Sequence, residues 1–214
     1  VIKWCANMIQ NKVKNRVALC FKSKEGSGKS LFISGYLGEI IGNKYYNSTA
    51  DITDLLGSFN SNFAGKLLIN LNEACWGGNT KDAGKVKGMI TEPTITVKKK
   101  GIDAYVITDI CNYIYDTNES YFAKIEPGSR RHFCNSCSDK YAGISSPEKK
   151  KYFDSISPTK NPDMVLAFAR VLYEMDLSEF DSGEFKITKL QAEQIELSFN
   201  NVGHWWKNIL MDSQ

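Results

Sequence analysis

No apolar run in the 214 residues approaches the roughly twenty needed to cross a bilayer as a helix, so a helical membrane span is excluded. Histidine is scarce, with two in the chain, and a single CxxC occurs, Cys134-Asn-Ser-Cys137. A structural zinc site takes four ligands; His132 beside the pair leaves the set incomplete, so the two thiols read as part of a strand end. The six cysteines lie mostly inside apolar stretches, unlike the dense loop-rich pattern of a disulfide scaffold, and read as reduced thiols of an intracellular protein. No internal repeat or low-complexity tract interrupts the chain. It begins at Val1 with neither a methionine nor a basic-then-apolar leader, so the expectation is a piece of a longer polypeptide whose other segments share its function.

Charge of one sign is also in short supply: 27 Lys+Arg against 24 Asp+Glu leave +3, weak support by itself for nucleic-acid binding. Its distribution says more. Between Lys81 and Lys100 six lysines face Asp82 and Glu92, whereas from Val171 onward eight acids face three lysines. The middle is basic and the tail acidic. With 42% hydrophobic residues the chain has enough apolar side chains for one compact core.

Apolar spacing predicts a helix ending near residue 11 and a buried strand over Arg16 to Phe21. A glycine-rich turn follows, then a helix from Lys29 to Ile41 stopped at Gly42-Asn43. Ser48 or Asp51 can cap a second helix through Leu56, and Lys66 to Leu71 reads as another buried strand. A lysine-bearing helix over 80–90 precedes two β-type runs, 94–97 and 104–107, which flank a basic hairpin tip at 98–103. Further strands are expected at 113–115 and 131–134. Strands alternating with helices indicate an α/β fold with a mainly parallel sheet. From about Ser146, past Pro147, Pro158 and Pro162, the pattern is helical only, with amphipathic stretches at 164–177 and 190–199 and a short helix opening at His204. The expected division is an α/β core over 1–143 and a C-terminal helical segment over 144–214.

Ser23-Lys-Glu-Gly-Ser-Gly-Lys-Ser30 sits after the first strand and before a helix, the context of a phosphate-binding loop. Backbone N–H groups of Gly26, Ser27 and Gly28 would cradle phosphate oxygens, Lys29 would reach the β- and γ-phosphates, and Ser30 would ligate magnesium. The strict pattern has glycine where Ser23 stands, and an ordinary glycine turn capping a helix is the plain alternative. At the end of the next strand Glu73 is the candidate for orienting water, and Asn72 stands where an aspartate usually helps hold the metal. A solvated carboxylate is the alternative for Glu73.

The order of Glu73 to Gly78, Gly84 to Gly101, Ile114-Tyr-Asp-Thr-Asn118 and Gly128-Ser-Arg-Arg-His-Phe133 resembles the superfamily 3 helicases, and more narrowly the helicase part of poxvirus-type and phage-type primase–helicases. The resemblance covers residues 1–143. It implies an AAA+-like phosphate-loop core that takes ATP and Mg2+. It further implies that Asn118 senses the γ-phosphate and that Arg130, with Arg131 in reserve, reaches the nucleotide site of an adjacent subunit. Lys98, Lys99 and Lys100 match the basic hairpin that grips single-stranded or forked DNA inside a hexameric ring. Three neighbouring lysines repel one another and gain most when a polyanion neutralises them, though a solubilising loop tip has the same composition. Lys85 and Lys87 are expected on a solvated helix face; Trp76, Trp205 and Trp206 could stack on bases or adenine, with the core or a subunit contact the preferred expectation. The implied protein is an ATP-dependent DNA helicase motor, in host cytoplasm or a viral replication compartment, with a primase domain possible in the parent chain. A phosphate-loop kinase or phosphotransferase, and a nucleotide-binding DNA-loading subunit that hydrolyses poorly, stay open beside it.

Overall fold

In the computed structural model, which describes residues 1–57, 59–73 and 80–212, five parallel strands form the central sheet. The chain enters through helix α1 (Ile2–Asn11), closed by Lys12 in the left-handed conformation, and runs into strand β1 (Ala18–Lys22). The helix after the glycine-rich loop, α2, is wound as a π-helix over Leu31–Gly38 and ends in one α-turn, Glu39–Ile41. Next come β2 (Tyr46–Thr49), α3 (Ile52–Leu56) and β3 (Leu68–Asn72). Asp51 caps α3 by accepting from the Thr53 N–H, while Ser48, the other candidate cap, lies inside β2.

Helix α4 (Thr80–Thr91) leads to the antiparallel hairpin β4 (Thr94–Lys99) and β5 (Ile102–Thr108). Strands β6 (Asn112–Thr117) and β7 (His132–Ser136) complete the sheet. Four helices follow: α5 (Pro147–Ile156), α6 (Asp163–Glu174), α7 (Lys189–Leu197) and α8 (Asn201–Asp212). Among the described residues no helix is long and apolar enough to cross a membrane.

The sheet order is β2-β3-β6-β1-β7, with every neighbouring pair parallel. Strand side chains alternate between two apolar layers, as the period of two requires. Ala18, Cys20, Ile69, Leu71, Tyr113 and Tyr115 face one layer, shared with α3, α4 and the segment Phe122 to Ile125. Leu19, Phe21, Leu68 and Ile114 face the other, against α1, α2 and Leu172 of α6. Burying each such Leu or Ile contributes about 1.5–3 kcal/mol, so the two layers dominate the stabilisation of the fold.

This layering places a topological switch point. The connection leaving β1 carries α2 to one face, and the connection leaving the adjacent β6 carries Phe122 and Ile125 to the opposite face. A crevice therefore opens between the carboxyl ends of β1 and β6, where ligands settle in open α/β sheets.

The edge strand β2 has no counterpart among the sequence expectations, because its Tyr-Asn-Ser-Thr run lacks apolar alternation. The cysteines at 134 and 137 point into opposite apolar layers and cannot close on one ion. No cluster of three or more His, Cys, Asp or Glu side chains placed to share a metal ion occurs among the described residues.

Candidate functional site

Four segments meet at the switch point: the loop Ser23 to Ser30, the end of β3, the end of β6 and the residues after β7. Lys29 is the hub. Its Nζ donates to Asn118 Oδ1 at 2.7 Å, to Ser23 Oγ at 2.9 Å and to the Ser23 carbonyl at 3.4 Å, and stands 3.6 Å from Asp116 Oδ1. Ser23, the departure from the strict loop pattern, is buried, and its hydroxyl lies 2.5 Å from that of Ser27. It thus joins the loop's first turn to the lysine, contacts that a glycine there would lack.

Gly26 and Gly28 have φ of +70° and +100°, conformations that L side chains rarely adopt. A Cβ on Gly28 would also meet the Phe153 ring at 2.9 Å, so the helix following the core packs directly on the loop. Ser30 is exposed at the head of α2.

Asp116 is a candidate site residue that sequence reasoning misses, although it lies in the Ile114 to Asn118 motif. It is buried, in register with Asn72 on the adjacent strand, and both side chains point to the α2 face of the sheet. The carboxylate missing at position 72 therefore stands one strand away. Burial pushes the Asp116 carboxyl above the usual carboxylate range, a rise that Glu73 adds to, while Lys29 and the Ser30 hydroxyl beside it pull the other way. The signal available in the sequence is an acid two positions before the candidate sensor, at the end of an otherwise apolar strand.

Glu73 is exposed and holds φ at +55°, a left-handed turn that costs a non-glycine residue about 1–2 kcal/mol. Its N–H donates to the Asp116 carbonyl at 2.7 Å, which fixes the turn. The rest of the motif, residues 74–78 with Trp76, lies outside the described residues. Ser30, Asp116, Asn72 and Glu73 are the oxygen-bearing groups that could hold a divalent cation here.

Arg130 and Arg131 are not brought to this site. They precede β7, and the Arg131 carbonyl accepts from the Ala18 N–H at the start of β1, about 16 Å along the sheet from the loop. Arg130 is exposed and Arg131 half-buried. Both line a 760 Å³ cleft at the amino edge of the sheet together with Lys14 and Arg16. The cleft floor is fixed by Lys14, whose Nζ pairs with Asp109 at 2.5 Å and donates to the Met89 and Glu92 carbonyls at the end of α4.

Lys98, Lys99 and Lys100 are all exposed on the hairpin, with the tight turn at Lys100-Gly101. Asn60 tethers the hairpin: its Oδ1 accepts from the Lys98 N–H, its Nδ2 donates to the Thr96 carbonyl, and its own N–H donates to the Lys98 carbonyl. Lys87 is ion-paired with Glu126 at 2.7 Å. Trp205 and Trp206, expected in the core or at a subunit contact, stand more than half exposed on α8.

A family model described as a family of unknown function, DUF5906, matches residues 21–131, and the chain belongs to that family. The chain is also 30% identical, over 142 residues, to the DNA primase-polymerase of Nitratiruptor phage NrS-1; the match takes in 64% of this chain and 19% of that protein. Two apo structures of the NrS-1 C-terminal region have the same fold. Their TM-scores are 0.78 and 0.75 at 23% and 22% identity, covering 94% and 96% of this chain and 47% and 48% of theirs. The chain spans less than a fifth of the phage protein and about half of its solved C-terminal region.

Proposed function

We propose that this chain is the ATP-hydrolysing motor segment of a phage-type DNA replication protein, a helicase core acting on single-stranded or forked DNA. The observation that carries this reading is the convergence of Lys29, Ser23, Asp116 and Asn118 at the switch point, on a glycine loop opening a helix. A nucleotide triphosphate seated on that loop would take Lys29 away from Asn118 and onto its β- and γ-phosphates, leaving the Asn118 amide to meet the γ-phosphate. Ser30 and Asp116 would hold magnesium, with Asn72 alongside, and Glu73 would orient the attacking water. Magnesium would neutralise charge developing on the phosphates.

Hydrolysis would be completed by Arg130 of a neighbouring copy, with Arg131 behind it, in an oligomer for which a hexameric ring is the proposed form. The hairpin lysines Lys98, Lys99 and Lys100 would grip the phosphate backbone. Likeness to a phage primase-polymerase supports a replication role, an intracellular site and a parent chain with further domains. The test is steady-state ATP hydrolysis with and without single-stranded DNA, beside Lys29→Ala. DNA-stimulated turnover lost in the variant is expected; turnover indifferent to DNA would favour a phosphotransferase, and absent turnover with intact nucleotide binding a DNA-loading subunit.

A further inference from the structure

A second cavity of 470 Å³ adjoins the loop and shares Ser27, Gly28, Leu31 and Phe153 with the cleft over Lys29 and Ser30. Its walls are aromatic and come from two parts of the chain. Phe32 and Tyr36 of α2 stand edge-on to Phe168 of α6, with ring centroids 6.0 and 5.7 Å away. Tyr152 and Phe153 of α5 close the opposite side, with Tyr152 stacked on Tyr141 at 4.2 Å.

Among the described residues, no side chain lining it is a carboxylate, an amide or a base. The hydroxyls nearest the loop are already engaged: Tyr36 donates to the Ile156 carbonyl at 2.5 Å, and Ser27 pairs with Ser23. The cavity therefore offers ring faces and aliphatic edges within a few ångströms of the phosphate loop, and little that reads the hydrogen-bonding edge of a base.

Resting on the proposed nucleotide binding at the loop, we propose that this cavity takes the base of a purine nucleotide. It grips the base by stacking, without distinguishing adenine from guanine. An apolar pocket rejects a near-isostere only weakly, whereas strong rejection needs buried polar groups that the wrong ligand leaves unpaired. The larger purine ring offers more stacking area than a pyrimidine. The helices after residue 144 then acquire a defined role, since α5 and α6 supply half of the nucleotide site.

Competition against a fluorescent ribose-labelled adenosine triphosphate, with magnesium, tests this in the 214-residue chain. The competitors are ATP, GTP, CTP and inorganic tripolyphosphate. ATP and GTP are expected within about tenfold of each other, and both about tenfold or more tighter than tripolyphosphate, the increment that stacking one base supplies. Ala167 is exposed on α6 and lines the cavity, so Ala167→Trp fills it without disturbing the core. That variant should bring ATP down to the affinity of tripolyphosphate while tripolyphosphate itself binds as before. Leu166→Trp, at a neighbouring position that is 71% exposed and outside the cavity, should change neither. ATP binding no tighter than tripolyphosphate, GTP rejected a hundredfold, or Ala167→Trp leaving ATP unaffected would each overturn the base pocket while leaving the phosphate loop standing. Failure of every competitor and of the probe to bind would overturn both.

Discussion

Lys29 Nζ donates to Asn118 Oδ1 across 2.7 Å, joining the loop after β1 to the end of β6, residues 89 positions apart in the chain. The bond holds the lysine inside the crevice, with Asp116 on its other side. On the proposed reading, a bound triphosphate would exchange these contacts for its own oxygens. Lys29→Ala is expected to lower ATP turnover at least a hundredfold with little change in thermal midpoint. Asp116→Asn should also abolish magnesium-dependent turnover and spare the fold. Near-normal hydrolysis in either variant would remove that residue from the mechanism.

Arg130→Ala should be inactive alone. Since Arg130 lies at the amino edge of the sheet and Lys29 at the carboxyl edge, mixing Arg130→Ala with Lys29→Ala protein should restore part of the activity, because mixed assemblies contain some interfaces with both wild-type residues. The size of the arginine effect should be on the order of a thousandfold in kcat. Mixtures as inactive as their components would place the arginine in a structural role.

Replacing Lys98, Lys99 and Lys100 together by alanine should weaken single-strand binding and lower the slope of log affinity against log salt by about 2, from roughly 0.7 per phosphate contact. ATP turnover without DNA should persist, since the hairpin is exposed and separate from the sheet. An unchanged salt slope would mean that the lysines do not touch phosphate.

His132 is buried at the start of β7, and burial, aided by Arg131 and Lys87, lowers its pKa to about 4. The unfolded chain, with an ordinary histidine near 6.5, binds more protons in the window between the two values, so stability falls as pH drops from 6.5 toward 4. On the order of 2 kcal/mol should be lost between pH 7 and pH 5 from this residue. Urea midpoints at the two pH values should converge in His132→Gln, relative to wild type. An equal pH slope in both proteins would assign the loss to other groups.

Strands β1, β3 and β6 are legible because each is a short apolar run bounded by polar residues, and the loop is legible because glycine spacing and flanking elements coincide. The edge strand β2 carries no such pattern: its sheet contacts are main-chain hydrogen bonds to β3, to which side-chain periodicity is blind. Strand order likewise follows from which face each connection covers, a long-range choice absent from any local window. That is why Asp116 escapes a reading in one dimension. Its neighbours Lys29 and Asn72 come from two other strand ends, and only the register Asn72 to Asp116 brings the acid beside the asparagine that stands where an aspartate was expected. The engagement of Ser23 by Lys29 and Ser27 is equally out of reach, since along the chain the residue reads only as a missing glycine.

Because the sheet is wholly parallel, its two edges differ: one presents the lysine crevice, the other the arginine-lined cleft. On the proposed completion of the crevice by a neighbour's Arg130, a head-to-tail succession of copies would set the crevice of one against the cleft of the next, and such a heterologous contact propagates. The rotation per step would then decide between a closed ring and an open filament, so stoichiometry would be encoded in one interface angle and in no single side chain.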